Sequence, residues 1–205
     1  MSIFRYTYKI TEMAKRKYEL KKRAVKKQRT RERIVEATVA LHQELGPSET
    51  TISAVAERAG VQRLTVYRHF PTERDLLAAC SASFIDCHPP PDPGVIEARG
   101  TEERTRAVLL AFYKYYQETA EMWASIYRDK DRMASVAEVL EGFESHLETV
   151  ETDLLAAWAP RRSRQLRASI AHALHFSTWQ SLDSQGLDIR DMATLVSTWV
   201  AASAR

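Results

Sequence analysis

The stretch Val61-Gln62-Arg63-Leu64-Thr65-Val66-Tyr67-Arg68-His69-Phe70, VQRLTVYRHF, follows Ala59-Gly60 and precedes Pro71. Its ten residues thread two arginines, a glutamine, a tyrosine and a histidine onto a narrow apolar stripe. A helix beginning near Gln62 places Val66 and Phe70 on one side, with Val61 and Leu64 near it. That side is expected to pack on Ile52, Val55 and Ala59 of a preceding helix. Gln62, Arg63, Thr65, Tyr67, Arg68 and His69 are then left outward or along the flanks. Their chemistry suits a nucleic-acid duplex. Arginine can fork onto guanine O6 and N7, glutamine onto adenine N6 and N7, and a threonine methyl can meet the thymine methyl. Tyrosine and histidine can hold phosphate oxygens and so fix the register.

The flanking sequence supplies the scaffold for such a helix. Ile34, Ala37, Thr38, Leu41 and Leu45 recur at helical spacing until Gly46-Pro47 stops the run. Thr51 then stands as an N-cap before Ile52, Val55, Ala56 and Ala59, and Gly60 closes that short helix. Helix, break, short helix, glycine turn, short helix is the helix-turn-helix layout. Residues 72–86 form a fourth helical pattern with Leu76, Leu77 and Phe84 inward. The run from Cys87 to Gly94, with Pro89, Pro90, Pro91 and Pro93, is a loop. Four long helical patterns follow, over 102–129, 133–158, 162–184 and 189–203, with Pro160 expected to end the second. No strand-like alternation of useful length occurs. The chain is expected to be all-α.

Composition narrows the partners. The apolar fraction, 44%, is ordinary for a globular protein, and no run of 18 apolar residues exists. Two cysteines, Cys80 and Cys87, are too few for a disulfide framework and suit a reduced, cytoplasmic setting. The net charge of +3 hides a division. Residues 1–33 carry 13 Lys/Arg against Glu12, Glu19 and Glu32, and the remainder carries 17 basic against 24 acidic side chains. A basic head on an acidic body points to a polyanion at one end. Segment 13–33 lacks glycine and proline but has little apolar face, so it is expected to stay mobile until it meets a partner. Met1 and Met13 both serve as candidate starts. There is no glycine-rich phosphate loop, nucleophile elbow or carboxylate pair, so no enzyme and no cofactor is expected. His172, His175, Cys80, Cys87 and His88 match no zinc-site spacing, and no metal is expected.

Residues 29–77, from RTRERIVEATVALHQELGPSETTISAVAERAG through VQRLTVYRHFPTERDLL, resemble the DNA-binding domain of the TetR/AcrR family of bacterial transcriptional regulators. The most specific pieces are Thr51-Ile52, Ala56, Ala59-Gly60-Val61 and Thr65 to Phe70. The resemblance implies a basic arm over 1–28, a three-helix DNA-binding domain over 29–77, and a larger helical effector-binding and dimerisation domain over 78–205. It implies that Thr51, Tyr67 and His69 contact phosphates while Gln62, Arg63, Thr65 and Arg68 face bases. It further implies a homodimer on a palindromic operator, in the bacterial cytoplasm and on the nucleoid when bound, acting as a repressor released by a small effector. One departure stands out. Glu73 occupies the place where the family commonly has a phosphate-holding lysine, and Arg74 or the arm is expected to compensate.

The C-terminal half carries most of the aromatic residues, and the resemblance places them around a cavity. Phe112, Tyr116, Trp123, Tyr127, Phe143, His172 and Phe176 are the candidate ligand-binding residues, since such pockets are mostly apolar with a few polar groups. Ile170, Leu174, Leu182, Leu195, Val196 and Trp199 are expected to give the last two helices a dimer face. The alternative is an architectural DNA-binding dimer with no effector, in which the arm dominates binding.

Overall fold

A computed structural model describes the backbone of residues 3–158 and 163–205, and the side chains of 18–158 and 163–205. The described residues form nine α-helices and no strand. These are α1 Ile3–Glu44, α2 Ile52–Arg58, α3 Arg63–His69, α4 Glu73–Cys87, α5 Thr101–Asp129, α6 Ala134–Ala157, α7 Arg164–Leu174, α8 Phe176–Asp183 and α9 Ile189–Ser203. The all-α architecture, a small N-terminal helical head followed by a larger helical body, is as the sequence indicates.

The first helix departs from expectation. It runs back from the packed turns into the basic segment without a break. The expensive step in helix formation is the first turn, and extension by further residues is cheap. Ile34, Val35, Ala37, Thr38 and Leu41 are buried and supply that nucleus. The lysine-, arginine- and glutamate-rich stretch before them then continues the helix on propensity alone. Gln28 donates to Glu32 at 2.9 Å one turn on. The side chains of 18–29 are all exposed, so this stretch buries nothing against the rest of the chain.

In the head, Thr51 caps α2 by accepting the Ala54 N–H at 3.1 Å. Gly60 takes φ +62°, the left-handed conformation that turns the chain into α3. Arg33 of α1 donates to the carbonyls of Ala59 and Gly60, which fixes that turn to the first helix. Val66 and Phe70 of α3 pack with Val55, Ala56 and Ala59 of α2 and with Ile34 and Leu41 of α1. Leu64 does not join them: it is 73% exposed. Leu45 is exposed as well, one residue past the end of α1. Thr72 and Asp75 form a reciprocal capping box at the start of α4.

In the body, α5 lies along α9 and against α6 and α8, and its aromatic residues fill the centre. The expected helix over 162–184 is two helices, divided at His175, whose ψ of 139° is extended. The division frees carbonyls at the end of α7, and α5 answers them. Tyr113 donates to the carbonyl of Ala173 at 2.9 Å and Tyr116 to that of Leu174 at 2.8 Å. Ile170, Leu174 and Val196 are buried in this core and so are not a free dimer face; Leu195 and Trp199 remain exposed and Leu182 half-buried. Pro160 lies outside the described residues; α6 gives way at Trp158, whose indole donates to Thr105 at 3.1 Å. The proline-rich loop is held by Arg104, which donates to the carbonyls of Ile96 and Pro93 and pairs with Asp153 at 2.7 Å.

Head and body share their packing. Val136 of α6 belongs to the core of the head, with Ile126 and Met133 against it. Near this seam His42 is buried beside Cys80, with Nδ1 3.5 Å from Sγ. Burial lowers the His42 imidazole to about 4, although the Asp129 carboxylate pulls in the other direction. Burial raises the Cys80 thiol to about 12. The unfolded chain therefore takes up a proton at His42, near pH 6.5, that the folded chain refuses down to about pH 4. The stability that neutral His42 contributes is complete above pH 6.5 and is lost as pH falls toward 4. Urea unfolding at pH 7 and pH 4.5 should show wild type losing about 2–3 kcal/mol more than His42→Gln over that interval. Parallel losses in both proteins would place the acid sensitivity elsewhere.

Candidate nucleic-acid interface and effector cleft

Helix α3 begins after Gln62, whose extended backbone (φ −82°, ψ 150°) serves as the N-cap. Gln62, Arg63, Tyr67 and Arg68 are exposed, and Thr65 and His69 are half-buried along the flank. Apart from Thr51, each sequence-derived base- or phosphate-facing residue thus lies on the outward side or edge of α3 or at its N-cap. Among the described residues, no salt bridge engages Arg63 or Arg68, whereas Arg58 of α2 is tied to Glu44 at 2.7 Å. Two arginines held on a rigid helix without partners leave their guanidinium forks free for an external acceptor. Thr51 is exposed at the start of α2; its oxygen accepts the cap hydrogen bond, and its O–H remains available to donate.

The basic face of α1 is continuous with this helix. Arg31 stacks its guanidinium over the Phe70 ring, 4.5 Å from the centroid. Burial lowers the pKa of His69, and Lys27, Arg31 and Arg68 lower it further. His69 is therefore held neutral, so its role at a phosphate would be that of an N–H donor rather than a cation. Lys27, Arg31 and Arg68 form one positive region around it. The departure at Glu73 is not repaired by its neighbour, because Arg74 is paired with Glu138 of α6 at 2.9 Å.

The candidate ligand residues fall into three environments. Trp123 and Phe143 border a cleft between head and body, which is lined also by His42, Leu77, Cys80 and Phe84 and encloses about 30 Å³. That is room for a water, so any larger molecule must part the walls. Phe112, Tyr116, Tyr127 and Phe176 sit in the aromatic centre of the body, in mutual contact: Tyr116 meets Phe176 edge-on at 5.4 Å, and Tyr127 stacks on Phe176 at 5.5 Å. His172 lies outside both, with an exposed side chain. Sequence reasoning places the pocket wholly within the body and so misses the contributions of α1 and α4. Periodicity marks Leu77 and Phe84 as inward but not which neighbour they face, and it gives no sign of His42 or Cys80.

Four aromatic side chains carry buried polar atoms without a well-directed hydrogen bond: the Tyr115 and Tyr127 hydroxyls and the Trp123 and Trp179 indole nitrogens. Each such orphan costs about 1–3 kcal/mol. The Trp123 indole faces Tyr115, and its pull offsets part of the burial that pushes the Tyr115 phenol up to about 12. Burial raises Tyr127 further still, helped by Glu144. All four groups are protonated donors at neutral pH.

No cluster of three or more metal-ligating side chains occurs among the described residues, and none of their helices is long and apolar enough to cross a membrane.

A helix-turn-helix head with a free, basic recognition helix on an aromatic helical body defines a DNA-binding regulator. Residues 34–80 match the family described as bacterial regulatory proteins, tetR family. The fold extends the likeness over most of the chain. A tetR-family transcriptional regulator from Streptomyces coelicolor is 20% identical, with 86% of this chain and 80% of that one covered at a TM-score of 0.64. A TetR-like regulator from Rhodococcus sp. RHA1 is 18% identical, with 83% and 93% covered at 0.61. The transcriptional regulator FadR from Bacillus subtilis, solved with stearoyl-CoA, is 18% identical, with 82% and 96% covered at 0.55. At these identities the structural likeness is one of fold. No curated protein matches the sequence. Residues 34–80 carry the tetR-family match, and across its length the chain shares the fold of these regulators.

Substitutions on α3 should separate two kinds of contact. Arg63→Ala should cost about 1–3 kcal/mol at one base position and relax the preference there. Tyr67→Phe should weaken every operator variant by a similar factor, as removal of a phosphate hydrogen bond does. Gel-shift titration against single-base variants reads both, and exchange of the two patterns would reverse the assignments.

Proposed function

We propose that this regulator is a dimeric repressor that binds a palindromic operator through Gln62, Arg63, Thr65 and Arg68 on bases and Thr51, Tyr67 and His69 on phosphates, and that a small apolar or aromatic effector releases it. The observation that carries the reading is the set of exposed, unpaired donors on α3, set in a positive region shared with α1. We take 1–28 as the arm, 29–77 as the reading head and 78–205 as the effector and dimer domain. Helix α4 crosses the second boundary and is the joint between them.

The dimer reading is supported by Leu195 and Trp199, which stay exposed on α9 beside half-buried Leu182. In a dimer the two reading helices must lie about 34 Å apart to enter successive major grooves. The cleft against α4 supports the effector reading: a molecule parting its walls tilts α4 and changes that spacing. The ligand must favour the altered spacing, because equal affinity for both shifts nothing. The lining is almost wholly apolar, and the fold neighbour from Bacillus subtilis was solved with an acyl-CoA. Stearoyl-CoA is therefore the first probe, and the cytoplasm the setting. Fluorescence anisotropy on a palindrome upstream of the gene, titrated with stearoyl-CoA and with aromatic ketones, tests the whole reading. Binding insensitive to sequence, with a steep salt slope and no release by such molecules, would favour the architectural alternative, which the basic charge of the arm supports.

Deleting residues 1–25 should leave the thermal midpoint unchanged, since the described side chains there bury nothing. It should flatten the dependence of log affinity on log salt by about one unit for each phosphate that the arm neutralises. An unchanged slope would show the arm standing clear of DNA.

A further inference from the structure

We infer that the donors Tyr115 Oη, Trp123 Nε1, Tyr127 Oη and Trp179 Nε1 are the recognition groups of a ligand site among α5, α6 and α8, and that it takes a flat, uncharged ring system bearing carbonyl-type acceptor oxygens. The inference rests on the effector-responsive reading and names the chemistry of its ligand. Buried polar side-chain atoms are ordinarily paired, and among the described residues five are not. Four of those five lie in this one aromatic cluster, and the fifth, Ser48, is in the turn before α2.

The kind of group selects the partner. An indole nitrogen can only donate, and a buried phenol deprived of acceptors offers its proton first. The site therefore presents four donors to a ligand, and only its two phenol oxygens can also accept. Its walls are rings: Phe143 lies 4.0 Å from Trp123 by centroid, and Phe176 lies 5.5 Å from Tyr127 and 5.4 Å from Trp179. Faces at such spacings accept another flat ring by parting and stacking. Charge within the cluster is absent. At its rim Lys130 stands over the Tyr127 ring at 5.4 Å and Glu144 acts on the same phenol, so the two signs offset. A neutral ligand loses less solvation on entry than an ion would.

Helix α5 is interrupted at the middle of the site. Thr119 has φ −124° and ψ 16°, outside the helical range, and its hydroxyl donates to the Tyr115 carbonyl. A hydroxyl bonding back into the ladder is a recognised origin of a helix bend. The bend separates Tyr115 from Trp123 and Tyr127, so a change there re-aims one donor against the other two. Tyr115, Trp123 and Trp179 are each at least nine-tenths buried, and Trp123 also borders the small cleft between head and body.

The test uses the full chain and two probes of one shape, 9-fluorenone and fluorene, which differ by a carbonyl. Titration calorimetry should give the ketone about tenfold tighter binding than the hydrocarbon, the effect of one well-made hydrogen bond. Tyr115→Phe, Trp123→Phe and Tyr127→Phe each keep a ring and remove a donor. At least two of them should bring the ketone down to the affinity of fluorene, leave fluorene unchanged, and not lower the thermal midpoint. Equal affinities in wild type, or variants that lose both probes together, would overturn the inference. Binding of neither probe while stearoyl-CoA still releases DNA would overturn it and leave the effector reading intact; no release by any of the three would end both.

Discussion

A buried carboxylate joins the two halves of this molecule. Asp129 is the last residue of α5 and is wholly inaccessible to solvent. It accepts the Ser48 N–H at 2.9 Å and the Arg128 Nε–H at 3.0 Å, while Arg128 also donates to the Leu45 carbonyl at 2.9 Å. A negative charge at a helix C-terminus opposes the helix dipole, and burial adds to the cost. Burial would raise the Asp129 pKa, yet the donors from Arg128 and Ser48 outweigh it and hold the group ionised. The carboxylate stays where it is because the turn before α2 supplies its hydrogen bonds. The position of that turn sets α2, and α2 with Gly60 sets α3.

This arrangement holds the head to the body by two kinds of contact. One is the Asp129 knot, made of hydrogen bonds of fixed direction. The other is α4, whose Leu77 and Cys80 face the cleft through apolar contact. Directional bonds resist displacement, whereas apolar surfaces slide with little penalty until they separate. Motion of the head is therefore biased toward a swing about the knot, with α4 moving across Trp123 and Phe143. The capping box at Thr72 and Asp75 keeps α4 whole as it moves, and the Arg74–Glu138 pair lies across the same gap.

Much of this is legible in the sequence, and the failures have a common cause. Thr51, Gly60, Val66 and Phe70 carry local signals for caps, turns and spacing, so the head can be laid out residue by residue. The exposed arc of Gln62, Arg63, Tyr67 and Arg68 follows from the same periodicity. Leu64 is misplaced by that reading because two apolar residues two positions apart cannot both face one way on a helix. The arm reads as mobile since it lacks an apolar face, but a helix nucleated elsewhere extends without one. Ile170, Leu174 and Val196 read as outward, although they are buried in the same core as the tyrosines of α5. Asp129 gives no signal at all. Next to Arg128 it looks like an ordinary charged helix end, and its partner Ser48 is 81 residues away.

The unbroken first helix has a mechanical consequence. From Ile34 back to Ile3 the rod projects about 45 Å at about 1.5 Å per residue. Its root is clamped to the head by Arg33 on the α2–α3 turn and by Arg31 on Phe70. Head and rod must then rotate as one piece. A turn of about 5° at the root, small enough to leave α3 near its groove, carries the free end through about 4 Å, the scale on which a cation passes from contact with a phosphate to separation by water. The helix thus magnifies the attitude of the head at its far end.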